Sequence, residues 1–74
     1  MTRLTTEQLV ALRTTALLQT PYGSMWRHIK SGNTYKVETV AISEADIIPV
    51  VVYYRHGVIW TRPHDEFLKG FERV

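Results

Sequence analysis

Two short segments hold the side chains best suited to recognition chemistry. Met25-Trp26-Arg27-His28-Ile29-Lys30 brings together an indole, a guanidinium, an imidazole and an ammonium, and Ile59-Trp60-Thr61-Arg62-Pro63 repeats the pairing of indole with guanidinium. Tyr35 follows the first segment across a Ser31-Gly32-Asn33 turn. Aromatic faces stack on bases or on apolar peptide side chains, while guanidinium groups bond phosphate or carboxylate. Trp26, Arg27, His28, Lys30, Tyr35, Trp60 and Arg62 therefore form the candidate binding surface. A structural role competes for the same residues. Both tryptophans can plug the core of a small chain, with Arg62 stacked on an indole or paired with an acid.

Nothing in the chain assembles into a reaction centre. The spacings of His28, His56 and His64 match no common metal-ligand motif. Asp65 and Glu66 are adjacent, so on a helical turn their carboxylates point apart. Ser24, Ser31 and Ser43 lack the strand-to-helix context of an activated serine. Gly32 and Gly57 are single turn glycines, not a phosphate-cradling loop. There is no cysteine, hence no thiolate site and no disulfide. The expectation is a protein that is not an enzyme and takes no cofactor or metal.

These residues need elements to position them. Polar and apolar residues alternate from Met25 to Val37 on both sides of Ser31-Gly32-Asn33, the pattern of a β-hairpin. Strand one is expected over about Met25 to Lys30 and strand two over about Thr34 to Ile42. In strand two the apolar parity changes between Tyr35/Val37 and Val40/Ile42, which predicts a bulge near Glu38-Thr39. Ser43-Glu44-Ala45-Asp46 is a polar loop. Strand three, Ile48 to Arg55, is rich in β-branched residues, and its Val50-Val51-Val52 run predicts cover on both faces. His56-Gly57 makes a tight turn into strand four, Val58 to Arg62. Pro63 suits the start of a short helical turn with Asp65 and Glu66 near its positive end, Gly70 at its exit, and Phe67, Leu68 and Phe71 as anchors.

Ahead of the strands lies a helix over about residues 5–20. Thr5 and Gln8 have capping-box spacing, and Leu4 with Leu9 suits a hydrophobic staple. Leu9, Leu12 and Ala16 form an apolar stripe widened by Val10 and Leu17, with Arg13 and Gln19 toward water. Thr20-Pro21-Tyr22-Gly23 ends it. The expected class is mainly β (α+β). Its expected architecture is a small SH3-like barrel or strongly bent four-stranded antiparallel sheet, with an N-terminal helix and a C-terminal helical turn, and with the indole-bearing ends of the sheet lying close together. An open four-stranded sheet with one helix is the alternative.

Seventy-four residues make one domain, residues 1–74, with a small β part over 24–74. Such a chain buries only about 60% of its unfolded surface, so stability is thin. The net charge of +2 is too small to identify a nucleic-acid binder. Tyr22 to Val37 contains Arg27, Lys30 and Lys36 and no acid, which allows a weakly basic face. Met1 to Thr5 lack the basic and apolar regions of a leader. No apolar run reaches the roughly 20 residues that span a bilayer. The expectation is a soluble, cytoplasmic protein with no membrane partner.

Trp26-Arg27-His28, Lys30, Gly32, Tyr35 and Val37, followed by Val51-Val52-Tyr53, Gly57, Trp60-Thr61-Arg62-Pro63, Glu66-Phe67 and Gly70-Phe71-Glu72, resemble a family of small uncharacterised bacterial and bacteriophage proteins. The resemblance covers about residues 25–73. It departs at Ile29, where an aromatic residue is usual, at Tyr54, which separates Tyr53 from Arg55, and in a closing block one residue short. It implies a bacterial or phage setting, with the host cytoplasm as the location of a phage-encoded member, and brings no activity. Function is thus expected to be that of a non-catalytic binding module acting on a host or phage protein. Nucleic-acid binding and capture of a nucleotide or other small molecule are the alternatives, and the helix stripe offers a route to homo-oligomers.

Overall fold

The computed structural model describes residues 3–74. Met1 and Thr2, which open the stretch read as lacking a leader, lie outside the described residues. Helix α1 (Thr6–Gln19) begins at the expected cap. Thr5 Oγ1 accepts from the Gln8 N–H at 3.1 Å, and Gln8 Oε1 accepts from the Thr5 N–H at 2.8 Å. It ends at Thr20, whose N–H and hydroxyl both donate to the Ala16 carbonyl, at 3.0 and 2.9 Å. Among the described residues no helix is long and apolar enough to cross a membrane.

Then follow β1 (Met25–His28), β2 (Thr34–Ile42), β3 (Pro49–Arg55), β4 (Val58–Pro63), helix α2 (His64–Gly70) and β5 (Phe71–Arg73). The five strands form one open antiparallel sheet in the order β4-β3-β2-β1-β5. The fold is α+β, with one strand more than expected. Phe71, expected only as an anchor of the helical turn, instead begins a strand with Glu72 and Arg73 that pairs with β1, Phe71 opposite His28 and Arg73 opposite Trp26. Three residues are too few for an alternating pattern to register. β1 is also shorter than expected, because the turn begins two residues earlier, at Ile29, and runs over residues 29–31. The Gly32 N–H donates to the His28 carbonyl at 2.7 Å, and Gly32 takes φ 78°.

The parity change in β2 is a bulge. Val37 faces Tyr53, Thr39 faces Val52, and Glu38 is the extra residue between them. The bulge returns Val37 and Val40 to one face, where both are buried with Trp26, Val51, Tyr53 and Phe71. Phe67 of α2 caps this face. Its ring stacks on Phe71 at 4.2 Å and meets Trp26 at 5.3 Å and Tyr53 at 5.2 Å. The core is therefore mostly aromatic.

Helix α1 lies against β2 and β3 and buries only Ala16 among its side chains. Two expectations for it need correction. Val10 is 58% exposed and does not widen the buried stripe. Arg13 does not face water: its Nε donates to the Val40 carbonyl at 2.6 Å, and its Nη2 reaches Thr39 Oγ1 at 3.1 Å and the Tyr22 hydroxyl at 2.8 Å. Position 13 is four after Leu9 and three before Ala16, so helical geometry sets it on their face.

Candidate functional site

The β3–β4 hairpin builds the most exposed apolar strand of the molecule. His56 at φ 51° and Gly57 at φ 80° are both left-handed, the two-residue turn whose twist matches that of the flanking strands. In such a hairpin the pair next to the turn, Arg55 and Val58, exchanges both hydrogen bonds, and the bonding alternates from there. Val58, Trp60 and Arg62 thus direct their backbone groups toward β3. Ile59 and Thr61 direct theirs outward, where no strand of the described residues lies, because β4 is an edge. Val58, Ile59, Trp60 and Thr61 are all exposed, and β4 pairs with β3 without a register shift.

Residues directly opposite share a face. Trp60 lies opposite Tyr53 and Arg62 opposite Val51, so both side chains stand on the face that carries the aromatic core. Arg55 has the same parity. Its guanidinium lies over the Tyr35 ring at 6.0 Å and donates to the Thr34 carbonyl at 3.3 Å. The Arg62 guanidinium lies over Phe71 at 5.2 Å. It also passes Gly70 so closely that a Cβ there would be 2.9 Å from Nη1. Burial pushes the Tyr53 hydroxyl above its ordinary pKa, and the adjacent Arg62 charge opposes that rise. Among the described residues neither Arg55 nor Arg62 has a carboxylate within ion-pair distance.

The seven residues singled out from sequence separate into distinct places. Tyr35, Trp60 and Arg62 share the core-bearing face, as does half-buried His28, whose ring lies 5.0 Å from Phe71 and whose Nδ1 is 2.7 Å from Ser31 Oγ. Trp26 is on this face too, but at 7% exposure it belongs to the core, with Nε1 donating to Ser24 Oγ at 2.9 Å. Trp60 is 48% exposed. Two strands lie between β1 and β4 in the sheet, and of the two indoles only that of Trp26 is buried. Arg27 points to the opposite face and pairs with Glu72 across β1 and β5. Lys30 sits exposed in the turn. Sequence reasoning singled out Trp60 and weighed Tyr53, but missed Arg55 and the neighbours of Trp60 in the open run, Val58, Ile59 and Thr61. The signal for that run was four consecutive uncharged residues, three of them β-branched, following a turn.

Outside this strand two further features stand out. A groove forms where Leu4 and Leu9 meet Ala45 and Ile47. His64 is buried at the start of α2, with Nε2 unpartnered, beside Ala16 of α1. Among the described residues no three histidine, aspartate or glutamate side chains gather as metal ligands. Comparison with protein-family models, with curated proteins and with solved structures gave no match to this chain.

Proposed function

We propose that this chain is a non-catalytic binding module that takes up an extended segment of a partner protein along β4. The observation that carries the reading is the open edge. Val58-Ile59-Trp60-Thr61 is exposed and uncharged, and Ile59 and Thr61 offer backbone donors and acceptors to a further strand. Natural sheets commonly blunt such edges with lysine, a bulge or mid-strand proline. β4 has none of these before Pro63, which supports a strand kept open for pairing. Added strands gain affinity from backbone bonds and specificity from side-chain contacts.

The finer fold assignment rests on connectivity. A long, bulged β2 shared between neighbours and a short helix leading from β4 to a β5 beside β1 follow the strand order of an SH3-like barrel. In this reading the module works in a bacterial cytoplasm, that of the host for a phage-encoded member, which is the setting implied by the resemblance of residues 25–73 to small bacterial and phage proteins. A host or phage protein is the partner in this reading.

The test is a titration of isotope-labelled protein with a short β-forming peptide, Thr-Val-Thr-Val-Thr. Its binding should shift the Ile59 and Thr61 amides most and protect them from exchange. Shifts confined to α1 would reject the edge. So would binding of a single-stranded oligonucleotide at these residues with affinity falling steeply in salt, the mark of phosphate contact.

A further inference from the structure

We infer that the β4 edge selects a strand running antiparallel to it with the pattern acid-x-apolar-x-apolar, and that Arg62 reads the acid. This rests on the strand-addition reading above and supplies its ligand class. The register follows from the backbone. A guest bonded to Ile59 and Thr61 sets its side chains opposite Arg62, Trp60 and Val58 in the non-hydrogen-bonded positions, where cross-strand Cα atoms come within about 4.5 Å. Those three residues share the core-bearing face. Pro63 occupies the next outward position and lacks an N–H, so the ladder ends there. An antiparallel guest, the sense of every pairing in this sheet, therefore meets Arg62 first, Trp60 two residues later and Val58 two after that.

Chemistry assigns the guest residues. Trp60 and Val58 are half-exposed apolar surfaces that gain from apolar side chains. Arg62 is partly buried over the Phe71 ring and has no carboxylate partner among the described residues. A guanidinium partly buried beside an aromatic ring in this way bonds a planar carboxylate with little further ordering. Charge also argues against a second copy as the guest. Pairing Ile59 with the second copy's Thr61 sets Arg62 opposite Val58. Pairing Ile59 with itself sets Arg62 opposite His56. Neither register brings an acid.

The experiment compares three peptides on the intact chain: Thr-Glu-Thr-Val-Thr-Val-Thr, the same with Gln for Glu, and the same with Lys for Glu. Amide shifts at Ile59 and Thr61 report binding. The Glu peptide should bind about tenfold more tightly than the Gln peptide, the scale of one charge-assisted bond, and the Lys peptide more weakly than either. Arg62→Gln, checked for folding by its amide spectrum, should erase the Glu-over-Gln preference. The peptide series on the unaltered protein stands even where that variant unfolds. Equal affinity for all three would overturn the acid-reading role and leave strand addition intact. Failure of all three and of Thr-Val-Thr-Val-Thr would remove strand addition itself. Tighter binding of an oligonucleotide over the Arg62 face would reassign the face to nucleic acid.

Discussion

Trp26 and Trp60 stand on the same sheet face, yet one is core and the other is surface. The difference comes from what lies above each. Phe67 and Arg73 cover Trp26, the guanidinium at 5.9 Å from its ring, whereas Trp60 stands at an edge. Trp26→Ala should cost about 3–5 kcal/mol, the usual range for emptying a buried aromatic site, which is most of the stability of a small domain. Thermal melting would show a folded population largely lost at room temperature. Trp60→Ala should move the melting temperature by only a few degrees while abolishing peptide binding. Loss of folding in the Trp60 variant, with the Trp26 variant intact, would invert the assignment. Arg27→Ala gives a third contrast. Its pair with Glu72 is exposed on both sides, so its loss should change stability by less than about 1 kcal/mol and leave peptide affinity unchanged.

At the scale of elements, two contacts hold pieces in unusual places. Arg13 ties α1 to β2 through Val40 and Thr39 and to Tyr22 beyond the helix. Arg13→Ala should cost about 1.5–3 kcal/mol, because the bonds lost are charge-assisted, and should raise amide exchange along α1 more than along the sheet. The β2–β3 loop holds Ile47 at φ 53°, a region where a β-branched side chain is strained. Ile47→Asn should stabilise the fold by about 1 kcal/mol in denaturant titration, since asparagine accepts that backbone more readily. A loss of stability would mean that contact with Leu4 and Leu9 across the groove outweighs the strain. Local signals explain which elements were legible from sequence. The Thr5/Gln8 cap, the bulge at Glu38 and the His56-Gly57 turn each depend on residues a few positions apart, and all three were read correctly. β5 and the facing of Arg13 were missed for different reasons. β5 exists only because β1 lies beside it. Arg13 was assigned by polarity, although its spacing from Leu9 and Ala16 already placed it on the buried side. The site divided along the same line. The face shared by Trp60 and Arg62 follows from alternation, whereas which indole is covered depends on where α2 crosses.

For the molecule as a whole, His64 links these pieces and predicts a pH dependence. It begins α2, lies beside the Ala16 carbonyl of α1, borders Ile48 of the β2–β3 connection and Pro49 of β3, and is only 9% exposed with Nε2 unpartnered. Burial lowers its pKa from the ordinary 6.5, outweighing the Ala16 carbonyl and the Asp65 charge, which both favour protonation. The folded state therefore holds the imidazole neutral where the unfolded chain accepts a proton. Stability from this group is complete above about pH 6.5. It falls as pH drops through that value, and it levels off only once the folded state is protonated too. Melting temperature should thus be highest at neutral pH and decline toward pH 5. His64→Leu keeps an apolar filling at the junction and removes the titration, so its decline over the same range should be smaller. The three-way contact also sets the order of events. Lifting α1 from the Ala16–His64 contact would hydrate the charged imidazole and leave the Trp26–Phe67–Phe71 cluster packed. At pH 5, rate-corrected amide protection should therefore fall first in α1 and later in β1 to β3. Uniform loss across helix and sheet would show that acid acts on the whole core at once, and an unchanged slope in His64→Leu would place the titrating group elsewhere.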